Sequence, residues 1–319
     1  MKSAARCLLA VGLTIALPAA AQTFTPPFTP PAGPPTAAGP PPDIAFGSYQ
    51  RGYFLTALRE ALKRVADNPK DAAAMTLIGE IYHDGYAVPH NDGEAARWYR
   101  IASGLGDREA AFALGMLLLN GATGVPEDRA GAKAQFEIAA AKGQAGALYN
   151  LGVMALSDEI GGFPDFATAA ADFRRAAEAG YGDGAYSYGV LLREGKGVPL
   201  DIDESARWLE RAADAGVIAG QVEYAIMLFN GVGVAKDEAG AAKLLLRAAA
   251  RNNPIAENRL AHLYVSGRGV PKDLVEAATW NRFAKAAGIE DPELDAATAG
   301  LTPEENKRVD ELIRRQAAF

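Results

Sequence analysis

The sequence predicts an all-α solenoid, and three regularities predict it. A small residue recurs as Gly79, Gly115, Gly152, Gly189, Ala225 and Ala261, at intervals of 36, 37, 37, 36 and 36. An Asn or Asp follows in the same register at Asn91, Asp128, Asp165, Asp201, Asp237 and Asp273, each ahead of an apolar-periodic run. Eleven residues beyond each comes Ala102, Ala139, Ala176, Ala212, Ala248 or Ala284. Six copies of a two-helix unit account for all three.

The first 21 residues stand outside that period. They carry Lys2 and Arg6, an apolar run from Cys7 to Leu17 and a small-residue end at Ala19, Ala20 and Ala21. That order predicts a signal peptide cut between Ala21 and Gln22, and a periplasmic or secreted mature protein. The apolar run is too short to span a bilayer core of ~30 Å. Cys7 is the only cysteine and lies at the start of that run, so the expected mature chain has no thiol chemistry and no disulfide. It also loses Lys2 and Arg6 from the 32 basic residues, leaving 30 against 39 acidic and a charge of −9. An acidic chain of this kind is not expected to bind nucleic acid, and no later run is long enough to span a membrane.

Residues 22–47 hold TFTPPFTPPAGPPTAAGPPP, where proline removes backbone donors and extends each preceding residue. A polyproline tether is expected. Residues 48–67 then predict one capping helix, with Tyr53, Ala57, Ala61 and Val65 on a single inward stripe. Six repeats follow at about 72–107, 108–144, 145–181, 182–217, 218–253 and 254–289.

Within each repeat the Asn or Asp is the N-cap of the second helix, worth ~1 kcal/mol. Glu94, Glu204 and Glu276 stand three residues on and complete the pattern of a capping box. Small residues also stand five before each repeat glycine or alanine, at Ala74, Ala110, Ala147, Gly184, Gly220 and Ala256, where two helices can approach closely. Residues 291–319 supply a linker and a closing helix. Thr302 is its cap, Pro303 its first residue and Glu305 the third residue of a box.

These residues resemble the Sel1-like repeat family, relatives of the tetratricopeptide repeats, over about residues 48–290. The fourth repeat carries the pattern through Gly189, Gly195, Gly197, Val198, Asp201, Trp208, Ala212, Ala213 and Gly216. Trp98 and Trp280 take the Trp position in the first and sixth. The resemblance implies a right-handed stack of helix-turn-helix repeats. Two repeats depart from the pattern. The fifth has Ala225, Leu244 and Asn252-Asn253-Pro254 in place of Gly, Trp and the terminal Gly, while the third has SDEIGGFPD in place of the glycine-valine turn.

The turns GKGVPLD, GVGVAKD and GRGVPKD suggest a phosphate loop at first sight. A helix rather than a strand precedes each one, and no Lys-Ser/Thr follows, so they read as helix joints. His83, His90 and His262 show no spacing that makes them converge; His83-Asp84 and His90 flank one turn, where adventitious metal binding is the alternative to the expected solvated turn, and no metal, cofactor or catalytic residue is expected. The tryptophans are expected to pack in the core.

What remains is surface. In tetratricopeptide-like stacks the first helix of each repeat lines the concave face. That analogy makes Phe112, Met116, Leu119, Tyr149, Val153, Leu156, Tyr186, Val190, Arg193, Val222, Ile226 and Phe229 an apolar, partly aromatic groove. The leading expectation is a non-enzymatic envelope scaffold that binds a protein or peptide there. The resemblance adds that some exported members regulate a periplasmic sensor kinase or serve envelope assembly. A hydrolase acting on cell-wall or β-lactam substrates is the rival, although members described that way have a disulfide in each repeat. A passive spacer is the third reading.

Overall fold

The computed structural model describes residues 43–157 and 164–316. The expected leader, most of the proline-rich segment and residues 158–163 of the third-repeat turn lie outside the described residues. The chain divides into two units, Met1–Pro42 and Asp43–Phe319, and the second holds every described element.

Those elements are helices. Two come first, the short α1 (Ile44–Gln50) and the longer α2 (Phe54–Asp67). Six pairs follow: α3 (Ala72–Asp84) with α4 (Asp92–Gly104), α5 (Arg108–Asn120) with α6 (Arg129–Ala141), and α7 (Ala145–Leu156) with α8 (Phe166–Glu178). Next come α9 (Gly182–Glu194) with α10 (Ile202–Asp214), α11 (Ile218–Asn230) with α12 (Glu238–Ala249), and α13 (Pro254–Ser266) with α14 (Leu274–Ala286). α15 (Pro292–Thr298) and α16 (Pro303–Gln316) close the chain. Each repeat helix packs chiefly on the one before and the one after, which is the contact pattern of an α-solenoid. Among the described residues, no helix is long and apolar enough to cross a membrane.

Small residues set the spacing of the stack. The six alanines from Ala102 to Ala284 are fully buried, and a larger side chain there would push neighbouring helices apart. The repeat glycines of the first three repeats face an aromatic ring on the second helix of the same pair. A Cβ added at Gly79 would stand 2.5 Å from Tyr99, one at Gly115 2.6 Å from Phe136, and one at Gly152 2.7 Å from Phe173. Glycine and ring therefore form one complementary contact, with Phe136 and Phe173 among the most deeply buried side chains.

Every second helix begins on its expected cap. Asn91, Asp128, Asp165, Asp201, Asp237 and Asp273 each accept from a first-turn backbone N–H at 2.8–3.1 Å. The reciprocal half of the capping box is a different matter. The backbone N–H of the cap donates instead to a carbonyl near the end of the preceding helix, as in Asn91 to Tyr82, Asp201 to Leu192 and Asp273 to Tyr264, at 2.9–3.0 Å. All six repeats make this bond. With that donor taken, Glu94 pairs with Arg97 and Glu204 accepts from Trp208 Nε1. Among the described residues, both halves of the box form only at the last helix. Thr302 N–H donates to Glu305 at 2.8 Å, and Glu305 N–H donates to Thr302 Oγ1 at 3.2 Å.

The turns join helices mechanically. Gly267 ends α13 in the left-handed conformation with its N–H on Leu263. Gly269 also has positive φ (71°), and a Cβ there would stand 2.1 Å from the Glu238 carbonyl oxygen of the preceding repeat. The turn thus seats one repeat on the last. In the fifth repeat Asn252 takes φ 57° where the other repeats place glycine, and Asn253 then caps α13 ahead of Pro254.

The ends differ from expectation. Residues 48–67 form two helices rather than one, because Gly52 at φ 78° breaks the run. Tyr53, expected on the inward stripe, becomes the N-terminal boundary residue of α2 and is 62% exposed. Behind the sixth repeat an additional helix, α15, is capped by Asp291.

Candidate functional site

The row of first-helix side chains lies beside the face that each first helix buries. α7 buries Ala147, Leu148 and Gly152 against its neighbours, which leaves Tyr149, Val153 and Leu156 half-buried. Phe112, Met116, Leu119, Tyr186, Arg193, Ile226 and Phe229 are likewise half-buried. Val190 and Val222 are not part of an open lining: at 7% and 5% exposure they are packed in the core, because α9 and α11 bury a wider face than the spacing alone indicates.

Neighbouring repeats clasp one another along this row. Phe112 reaches Gly146 of the next repeat, where an added Cβ would meet its ring at 2.9 Å. Within the third repeat Tyr149 contacts Phe173 and Tyr181, with ring centroids 5.5 and 5.1 Å apart. Arg193 binds Glu223 at 2.5 Å, and Arg268 lies over the Phe229 ring at 4.0 Å. Burial raises the pKa of Asp183, and burial with the nearby Asp183 charge pushes the Tyr181 phenol up to about 12. At its centre the row offers aromatic edges beside a half-buried carboxyl and an Arg–Glu pair. Such a surface offers apolar and polar contacts side by side.

The tryptophans pack as expected. Trp208 and Trp280 are buried and Trp98 is half-buried against two core clusters.

The histidines are a correction. His83 and His90 converge: His83 Nδ1 lies 2.7 Å from Asp92 Oδ1, and His90 Nε2 lies 2.9 Å from Asp92 Oδ2. His90 Nδ1 in turn faces the His83 carbonyl oxygen, and this bond, followed by that to Asp92, raises the pKa of His90. The spacing H-x6-H-x-D across a helix-to-helix turn was the signal. It becomes meaningful once the turn is known to fold the end of α3 onto the start of α4. His262 has its own partner, with Nε2 2.8 Å from Asp291 Oδ2. Asn258, then the Leu294 backbone N–H and then His262, hold the Asp291 carboxyl down at about 2.

Glu80, in the row position of the first repeat, is pushed up to about 7 by burial and by the charges of Asp84, Asp107 and Glu109. The first repeat also exposes an aromatic end that sequence reasoning missed. Tyr86, from its turn, stacks on Phe54 with centroids 4.6 Å apart, and Ile44, Tyr53 and Leu55 are each about 60% exposed beside the same helices.

The model of the Sel1 repeat matches residues 72–107, 108–144, 145–181, 182–217, 218–253 and 254–288. No curated protein matches the sequence. Among solved structures, a Sel1 repeat protein from Oxalobacter formigenes is 25% identical with a TM-score of 0.64, over 78% of this chain and 99% of its own. A protective antigen of uropathogenic Escherichia coli with an SLR fold is 22% identical with a TM-score of 0.53, over 86% of this chain and 67% of its own. The second likeness is one of fold alone.

Proposed function

Because the chain belongs to the Sel1 repeat family, we propose that it is a non-enzymatic adaptor of the cell envelope that holds an extended segment of a partner protein along its first-helix row. Repeats of this class typically act as scaffolds for protein–protein contact. The observation that carries the reading is the centre of the row, where Tyr149, Tyr181 and Tyr186 stand half-buried beside Asp183 and the Arg193–Glu223 pair. Aromatic side chains already ordered by their neighbours lose little entropy when a partner lands on them. The basic, apolar and small-residue order of residues 1–21 supports export, and the resemblance to exported Sel1-like proteins supports regulation of a periplasmic sensor or a part in envelope assembly as the role.

Two measurements test this. Crosslinking in intact cells identifies the captured protein, whose affinity for the purified chain is then measured with Tyr149→Ala/Tyr186→Ala. A loss of tenfold or more is expected, since buried aromatic anchors dominate interface energetics; unchanged affinity rejects the groove. N-terminal sequencing of the protein from cells should begin at Gln22, and a chain that still starts at Met1 rejects export.

A further inference from the structure

We propose that His83, His90 and Asp92 form a binding site for a zinc-class transition-metal ion at the first helix-to-helix turn. The three ligand atoms lie within 4.8 Å of one another. The Asp92 carboxylate is 8% exposed, with one imidazole nitrogen on each oxygen and, among the described residues, neither Lys nor Arg paired with it. His90 Nδ1 faces a backbone carbonyl, which only accepts, so Nδ1 carries a hydrogen and Nε2 is the ring atom turned toward Asp92. The 2.9 Å between Nε2 and the carboxylate oxygen is bridged by a proton, which a metal ion bound by the same two atoms would displace. A backbone carbonyl that fixes the tautomer of a ligating histidine is also the usual second layer of a zinc site.

The dimensions fit after a small adjustment. Ligands at about 2.0–2.2 Å from tetrahedral zinc stand about 3.3 Å from one another. The two His–Asp distances must therefore open by a few tenths of an ångström and ligand atoms as far apart as 4.8 Å must close toward that spacing, which both imidazoles, about half exposed, can do by turning about their side-chain bonds. Solvent can occupy the fourth position. Two nitrogens and one oxygen select zinc-class ions over magnesium or calcium, which take oxygen ligands.

The fifth repeat is the other one that places a carboxylate at this corner. There Lys236 stands in the register of His90 and Glu238 in that of Asp92, and the pair is joined at 2.9 Å with Arg268 added at 2.5 Å. Fixed cations complete that corner, and neither carries a lone pair for a metal. The first repeat replaces them with two imidazoles, one drawn from the row position that the second to sixth repeats fill with Leu119, Leu156, Arg193, Phe229 and Val265.

The test uses the full, tag-free chain stripped with a chelator and titrated with zinc chloride in competition with a chromophoric chelator. One equivalent should bind, unaffected by excess magnesium or calcium. H83Q and H90Q, both at half-exposed positions, should each weaken binding tenfold or more with an unchanged circular dichroism spectrum. Zinc should raise the melting midpoint of the parent chain but not of H83Q/H90Q. Cobalt substituted for zinc should give the visible bands of a tetrahedral site. Absence of saturable uptake, or equal uptake by H83Q/H90Q, overturns the proposal and leaves a protonated His–Asp–His corner. Because the partner affinity is measured separately, failure here leaves the groove reading standing.

Discussion

The centre of the stack and its N-terminal end are built from the same helix pair but present opposite surfaces. At the centre Tyr149, Tyr181 and Tyr186 are held half-buried by adjoining repeats. At the end Tyr53, Leu55 and Tyr86 stand mostly exposed, and the row positions of the first repeat are Thr76, Glu80 and His83. A repeat thus fixes backbone geometry through its glycines, alanines and caps. It leaves the row positions free to carry different chemistry, and a neighbour on each side converts aromatic side chains into ordered ones.

The largest effect expected from breaking that contrast is at the ring behind the central row. Phe173 is buried, backs Tyr149 and fills the contact with Gly152, so Phe173→Ala should cost about 3–5 kcal/mol in denaturant unfolding. At the end, Phe54 is only half-buried, and Phe54→Ala should cost about 1 kcal/mol. Equal losses would mean that burial does not separate the two regions. Gly269→Ala should follow at about 1–3 kcal/mol, because it meets both positive φ and a carbonyl oxygen. The same change at Gly288, whose φ is positive but whose Cβ would meet nothing within 4 Å, should cost less.

Asp128→Ala removes a cap from the second repeat and should cost about 1 kcal/mol, and Asp201→Ala should match it in the fourth. A much larger loss at one of them would show that the caps are not equivalent along the stack. The smallest effect is a slope. Glu80 has a folded pKa of about 7, above its ordinary 4.5, so the folded state binds more protons than the unfolded state between those values. Stability should decline as pH rises from about 4.5 to about 7. Glu80→Gln should flatten that decline and be the more stable protein above it, as followed by melting midpoint against pH.

The period, the six caps and the last helix were legible because each is written within a few residues. Asn91 caps a helix whatever lies around it, and Thr302, Pro303 and Glu305 close a box on their own. What depends on a neighbour was not legible. Spacing places Val190 and Val222 in the row but does not say how far the next repeat covers them. The unpaired half of the capping box at Glu94 and Glu204 depended on a carbonyl of the preceding helix taking the cap's N–H. His83, His90 and Asp92 meet only when α3 and α4 are folded on one another.

The account rests on the centre of the row, and not the exposed aromatic end, being where a partner sits. A photoreactive residue placed at Tyr186 in one chain and at Tyr86 in another tests it in intact cells. Capture of one discrete protein from position 186, with little from position 86, is the predicted result. The same protein captured from position 86 and not from 186 would contradict it.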